Sequence, residues 1–349
     1  MTVHALPYDT AQPGDTSEFS RALAQFEPAR IRRLAVLAKT EGNAEVNDYS
    51  REYGLISTEA AIERHGGRAL LQRSTFLFST GCEGAMTPCG TLFVDVEEPH
   101  ARPSARGAAL AIGCARSRSI RPEEIGTPAH ADLAAETVRA GMRDAGVGVD
   151  DVALVIVKTP VTVSARRITS AHSKAVGALG AGVALGEVER ARIVQEAIDA
   201  DHSLHARRAM VFSGSELDCV EIMLLANRRG APGHLSVHTG FLRDVLDAQA
   251  LRDLFTSAGL TLNARGEVAE PGRVAATLVK AGAAPDGKVR GRRTTMKSSH
   301  IDMDKHVRAA VSGIIGSILG DTRAFISANT VHQAPPGGGL AACVVRHDA

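Results

Sequence analysis

Lys39, Lys158 and Lys280 each close an apolar, β-type run. The runs read A-V-L-A-K-T-E-G at 35–42, A-L-V-I-V-K-T-P at 153–160 and A-A-T-L-V-K-A-G at 275–282. A solvated lysine keeps its proton at neutral pH and is no base. At the buried end of an apolar strand the charged form is disfavoured and the pKa falls. The neutral amine then takes the proton of a serine hydroxyl and makes it a nucleophile. Each lysine is followed by a strand-end serine, Ser79, Ser213 and Ser327, at separations of 40, 55 and 47 residues. Beside the serines, Thr80-Gly81, Gly214-Ser215 and Ala328-Asn329 offer backbone N–H groups to an oxyanion. This set of residue types is suited to nucleophilic attack on a carbonyl.

The lysines recur at spacings of 119 and 122 residues, about a third of the 349-residue chain, which is the mark of an internal triplication. The expected units are residues 1–102, 103–243 and 244–349. Each reads as helix, lysine strand, polar loop, helix and serine strand, and such alternation argues for an α/β fold. In the first unit the polar residues 1–17 read as a loosely held arm. A helix follows to about Ala29, then the lysine strand Ile31–Lys39, a helix Ser57–His65 closed by Gly66-Gly67, and a strand Thr75–Ser79. The second unit has helices at Asp132–Asp144, Thr169–Glu187 and Val188–Ala200, and strands at Val152–Lys158 and Arg208–Ser213. The third has helices at Asp247–Ala258 and Lys305–Leu319, and strands at Val274–Lys280 and Thr322–Ser327.

Composition narrows the function classes. With 40 Lys and Arg against 39 Asp and Glu, the formal charge is +1, so no overall field draws nucleic acid or an anionic membrane. No apolar stretch reaches the ~18 residues of a membrane span. The N-terminus has neither a basic nor an apolar leader segment. Five scattered cysteines without a C-x-x-C read as free thiols in a reducing cytoplasm. The histidines show no H-E-x-x-H spacing for a catalytic zinc. Gly180-Ala-Gly182 lies in a small-residue helix with no strand immediately before it, which argues against a nucleotide site. The basic run Lys288–Arg293 reads as a solvated or intersubunit face, Cys82 as a small packed residue, and P-P-G-G-G as a structural turn.

Several stretches resemble the cyanuric acid hydrolase/barbiturase family of ring-opening amidohydrolases. They are K-T-E-G-N-A-E-V-N-D-Y-S-R (39–51), F-S-T-G-C-E-G (78–84), S-G-S-E-L (213–217), R-G-R-R-T-T-M (290–296) and H-Q-A-P-P-G-G-G (332–339). The resemblance covers nearly the whole chain. It implies an α/β fold of three structurally alike repeats around a pseudo-threefold axis, with strands forming a central barrel-like core and helices outside. It further implies a homotetramer and a small cyclic imide lying on the axis, with no nucleic acid or membrane partner. Carried over by position, the pairs are Lys39–Ser79, Lys158–Ser213 and Lys280–Ser327. The basic clamp is Arg51, Lys174 and Arg308, and substrate contacts fall at Thr80, Gly214 and Ala328. The chemistry needs no cofactor. The turn at His332, Gln333, Pro336 and Gly337 is the place where a structural Mg or Ca ion would sit.

The departures cluster at the chemistry. The family has S-S-G-x-E-L in the second repeat, its first serine being the nucleophile; here the aligned stretch is F-S-G-S-E-L. Phe212 takes the nucleophile position and Ser213 is its neighbour, and neighbouring strand residues point to opposite faces. Lys174 stands where the family shows Arg and lacks its fork. The third repeat reads S-A-N-T-V-H-Q against S-G-G-A-E-H-Q. Three readings are open at this point: ring opening with the family mechanism, a barbiturase-like or other cyclic-imide hydrolase with a relocated nucleophile, and a non-catalytic heterocycle binder.

Overall fold

The computed structural model describes residues 1–43, 47–99, 101–161 and 170–347. The first sheet is made of β1 (Thr2–Asp9), β2 (Ile31–Thr40), β3 (Ser74–Thr80) and β4 (Cys89–Val96), with α1 (Ser17–Leu23) and α2 (Ser50–Leu71). The second comprises β5 (Ala108–Ser119), β6 (Val152–Pro160), β7 (Ala209–Gly214) and β8 (Cys219–Arg229), with α3 (Pro128–Ala145), α4 (Ser170–Ala184) and α5 (Gln195–Ala200). The third comprises β9 (Leu235–Leu242), β10 (Val274–Ala281), β13 (Phe325–Ala328) and β14 (Gly339–Arg346), with α6 (Ala248–Ser257) and α7 (Met303–Leu319). A small hairpin, β11 (Lys288–Val289) and β12 (Arg292–Arg293), is inserted in the third unit.

The three sheets share one strand order: β1-β4-β2-β3, β5-β8-β6-β7 and β9-β14-β10-β13. In each, the lysine strand is central, parallel to the serine-side strand and antiparallel to the last strand of its unit. A central strand covered on both faces must be apolar throughout, and side chains alternate between faces. In β2, Ala35 and Leu37 enter a common core, whereas Leu34, Val36 and Ala38 pack under α1 and α2. In β6, Leu154 and Ile156 enter the same common core while Val155 and Val157 face the α3–α4 side. In β10, Leu278 points inward and Val279 outward. The common core therefore draws on all three sheets. The same alternation puts Lys39, Lys158 and Lys280 at the ends of the inward rows.

The sheets are three open four-stranded layers packed on a shared core, so the barrel-like closure expected from the resemblance is not what holds them together. Residues 2–9, read as a loose arm, form β1 and pair along their length with β4. Leu235–Leu242, assigned to the second unit, hydrogen-bonds to β14 in the third sheet. By sheet membership the second break therefore falls between Arg229 and Leu235, ahead of 243/244. The last helix expected in the second unit, Val188–Ala200, is only the short α5 preceded by a 3-10 turn at Arg190–Arg192. The helix expected at 57–65 is longer, and the chain kinks at Gly67 (φ 72°) before a last turn to Leu71. The helix expected from Thr169 is described from Ser170; Thr169 lies outside the described residues. Gly180 has a packing role: a Cβ there would lie 2.2 Å from the Ala131 carbonyl oxygen of α3. All five cysteines are free. Among the described residues no helix is long and apolar enough to cross a membrane.

Candidate active site

The parallel pairing places the strand-end residues in register: Lys39 opposite Ser79, Lys280 opposite Ser327, and Lys158 opposite Phe212. Ser79 and Ser327 continue the inward rows of Leu77 and Phe325. Both serines open onto one cavity of about 330 Å³, which is also lined by Thr80, Phe212, Ser213, Gly214 and Ala328. The basic side chains expected as a clamp, Arg51, Lys174 and Arg308, line the same cavity. The structure thus gathers residues from all three units at one place.

Two of the three lysine–serine pairs are made. Lys39 Nζ lies 3.2 Å from Ser79 Oγ and donates to the Thr80 carbonyl at 2.7 Å. Lys280 Nζ lies 2.9 Å from Ser327 Oγ and donates to the Ala328 carbonyl at 2.6 Å. Both lysines are fully buried. Burial pushes the Lys39 amine down to about 7. It holds Lys280 well below the ordinary lysine range, and the nearby charge of Lys174 adds to the effect.

The third pair is not made. Phe212 occupies the inward position, whereas Ser213 is in register with Thr159 and borders the cavity without joining the inward row. The Ser213 hydroxyl is 2.7 Å from Ser170 Oγ. Lys158 instead donates to the Phe78 carbonyl of the first sheet and pairs with the Glu216 carboxylate. Burial lowers the Lys158 pKa while Glu216 pulls it back. An amine held by a carboxylate and a carbonyl is not poised as the base of Ser213, so the expected Lys158–Ser213 dyad is absent. Gly81 N–H, one of the expected oxyanion donors, is used by the Thr40 carbonyl at 2.8 Å.

The structure adds two residues that sequence reasoning passed over. Glu216 Oε2 lies 3.2 Å from Arg51 Nε, and Glu83 accepts a two-pronged bond from Arg308, with Nη2 to Oε1 at 2.6 Å. Burial pushes Glu216 upward, but Lys158 and Arg51 outweigh it and hold the carboxyl below its usual value. Both glutamates stand four residues after the strand-end position, in S-T-G-C-E and F-S-G-S-E. Each binds the basic residue of a different unit. The third unit has Val331 at that offset, packed near Ala175 and Val176 beside Lys174. Among the described residues Lys174 has no hydrogen-bond or ion-pair partner; Asp304 and Asp302 act on it only at longer range, and burial lowers its pKa. The polar loop before Arg51 contributes Asp48, whose Oδ2 accepts from Thr80 Oγ1 at 2.7 Å. Residues 44–46 of the same signature lie outside the described residues.

The expected metal ligands fare differently. His332 is buried with both ring nitrogens on backbone carbonyls, those of Leu204 and Ile198. Gln333 Oε1 accepts from Val211 N–H at 2.6 Å and its Nε2 donates to the Asn329 carbonyl. Gln333 braces the edge strand β7, His332 holds α5 and the segment before β7, and neither fits a cation. Pro336 and Gly337 line a separate cleft with Asp286. No group of three or more His, Cys, Asp or Glu among the described residues is arranged to hold a metal.

A profile of the family described as amidohydrolase ring-opening protein matches residues 2–346. This chain belongs to the ring-opening amidohydrolase family. Among similar proteins, a cyanuric acid amidohydrolase of Enterobacter cloacae is 34% identical, with 96% of this chain and 97% of that one covered. A cyclic amide hydrolase of Azorhizobium caulinodans is also 34% identical, with 96% of each covered. A solved cyanuric acid hydrolase structure superposes with a TM-score of 0.90 at 32% identity over 99% of both chains. A second, the cyanuric acid hydrolase from A. caulinodans, gives 0.88 at 30% identity, covering 100% of this chain and 99% of that one. The ring-opening amidohydrolase fold is therefore an α/β arrangement common to this chain and those enzymes.

Proposed function

We propose that this chain hydrolyses a ring C–N bond of a cyclic amide, with Ser79 as nucleophile and Lys39 as its base. The observation that carries this reading is the buried Lys39–Ser79 pair opening onto the shared cavity. A base works best when its pKa lies near the working pH; burial brings Lys39 to about 7. Lys39 in its neutral form accepts the Ser79 proton, and the alkoxide attacks a ring carbonyl. The tetrahedral oxyanion is stabilised by donors at the cavity wall. The ring C–N bond breaks, its nitrogen takes the proton back from Lys39, and water releases the opened product from Ser79. Arg51 and Arg308, fixed by Glu216 and Glu83, hold the other carbonyls. Lys280–Ser327 serves as a second carbonyl station.

The family resemblance supports three alike units about a pseudo-threefold axis, a homotetramer and a cytoplasmic setting as parts of the same proposal. Sedimentation of the purified protein reads the tetramer. A structural Mg or Ca ion on the 336–337 loop belongs here too, with metal analysis as its test; no step above is routed through it.

The test is intact-mass spectrometry during turnover of cyclic amides. An acyl adduct on the wild type that is absent from Ser79→Ala supports the reading. An adduct that persists in Ser79→Ala and disappears in Ser327→Ala overturns the assignment. The Phe212 substitution favours a second reading, a binder of heterocycles without turnover. Saturable binding with no ring consumed by any variant would establish it.

A further inference from the structure

The cavity has three stations of unequal chemistry. Two carry a serine hydroxyl, a buried lysine behind it and an arginine fixed by a glutamate. The second carries Phe212, only 4% exposed, with its ring 5.2 Å from that of Phe325 and 5.1 Å from Lys158 Nζ. Its lysine is drawn away to Phe78 and Glu216. Its basic residue is Lys174, a point donor without the guanidinium fork, and it lacks the glutamate that fixes the other two.

We infer that the ring accepted here carries two carbonyls and, at the third alternate position, a carbon without oxygen: a six-membered cyclic imide of the glutarimide or dihydropyrimidinedione type. The inference rests on the ring-opening reading of the same cavity. A carbonyl oxygen laid against the Phe212 ring loses its hydrogen bonds to water and gains none. A CH or CH2 edge gains apolar contact there. Two imide carbonyls are met by Ser79 with Lys39 and by Ser327 with Lys280. Hydrolysis then proceeds with one water. Ser79 Oγ bonds to the ring carbonyl carbon, the C–N bond breaks, and nitrogen keeps the proton passed through Lys39. Water cleaves the ester, leaving a carboxylic acid and an open-chain amide or urea.

The experiment compares kcat/KM on glutarimide, 5,6-dihydrouracil and cyanuric acid for the wild type, Phe212→Ser and Phe212→Leu. Dissociation constants for the same rings are measured by calorimetry. The wild type is expected to favour a two-carbonyl ring over cyanuric acid by about 10- to 100-fold, the size of discrimination a small apolar slot supplies. Phe212→Leu keeps the preference and Phe212→Ser narrows or reverses it. A wild type that favours cyanuric acid overturns the inference, as does a preference that Phe212→Ser leaves unchanged. Absence of turnover on every ring is failure of the hydrolase reading. The binding constants then decide: tighter two-carbonyl rings support the inference, whereas tighter cyanuric acid, or no ring bound, overturns it. If Phe212→Ser lacks a cooperative melting transition, the wild-type preference and Phe212→Leu carry the test.

Discussion

Lys158 and Phe212 stand in register on adjacent parallel strands, with the amine nitrogen 5.1 Å from the centre of the ring. Lys39 and Lys280 meet a hydroxyl at the same place in their own sheets. Because register alternates faces, Ser213 cannot replace Phe212 without a one-residue slip that would turn Val211 out of its core. Ser79→Ala is therefore expected to lower kcat by on the order of 10⁴-fold or more, the scale seen when an activated serine is removed. Ser213→Ala should cost far less. Steady-state rates of the two variants on one ring check the order, and the reverse order would return the chemistry to the second sheet.

The base should show in the pH profile. Below about 7 Lys39 is protonated and cannot accept the serine proton, so kcat/KM should fall tenfold per unit towards acid and level off above about 7. A profile flat from pH 5 to 8 would contradict Lys39 as the base.

The same shift affects stability. In the unfolded chain the lysine titrates near 10.4, above its folded value of about 7. Between these limits the unfolded state binds more protons, so stability rises with pH. Below about 7 both states are protonated and the full desolvation cost remains. Urea midpoints at pH 7 and pH 9 should therefore differ less in Lys39→Met than in the wild type.

Glu216 holds two cations of different units, Lys158 and Arg51, and its side chain is only 6% exposed. Breaking a buried pair by removing one partner costs about 3–5 kcal/mol. Glu216→Gln is expected to lower stability by that order in denaturant unfolding and to loosen Arg51 at the cavity. A change within error would mean that the pair is solvated in the working protein.

Gln333 satisfies the Val211 N–H on the open edge of β7. Gln333→Leu leaves this buried donor unpaired, at a cost of about 1–3 kcal/mol. Faster amide exchange confined to β7 would show that the brace is local; unchanged exchange there would show that it is dispensable.

The lysine strands were legible because a central strand must be apolar on both faces, and a lysine at its end stands out. The outer strands were not. T-V-H-A-L-P-Y-D in β1 mixes His4, Pro7 and Asp9 with its apolar residues, and it reads as a strand only once β4 is there to pair with it. β9 was credited to the wrong unit because sequence adjacency says nothing about which edge a strand joins. At the site, the serines and the arginines were visible from the repeat and the resemblance. Glu83 and Glu216 escaped notice, although both lie four residues past the strand end, because each serves a basic residue contributed by another unit. His332 and Gln333 look like ligands by residue type, but their polar atoms are consumed by backbone groups, those of Ile198, Leu204 and Val211 in the second unit and of Asn329 in their own loop.

One chain encodes the three sheets separately. In a trimer of identical subunits a phenylalanine at the strand end would appear three times and erase every hydroxyl at once. A single chain specifies each strand end independently, so Phe212 coexists with Ser79 and Ser327, and Val331 with Glu83 and Glu216. A pocket assembled this way can exchange the symmetry of its ligand for an orientation, because a ring with one unlike edge must turn that edge towards Phe212.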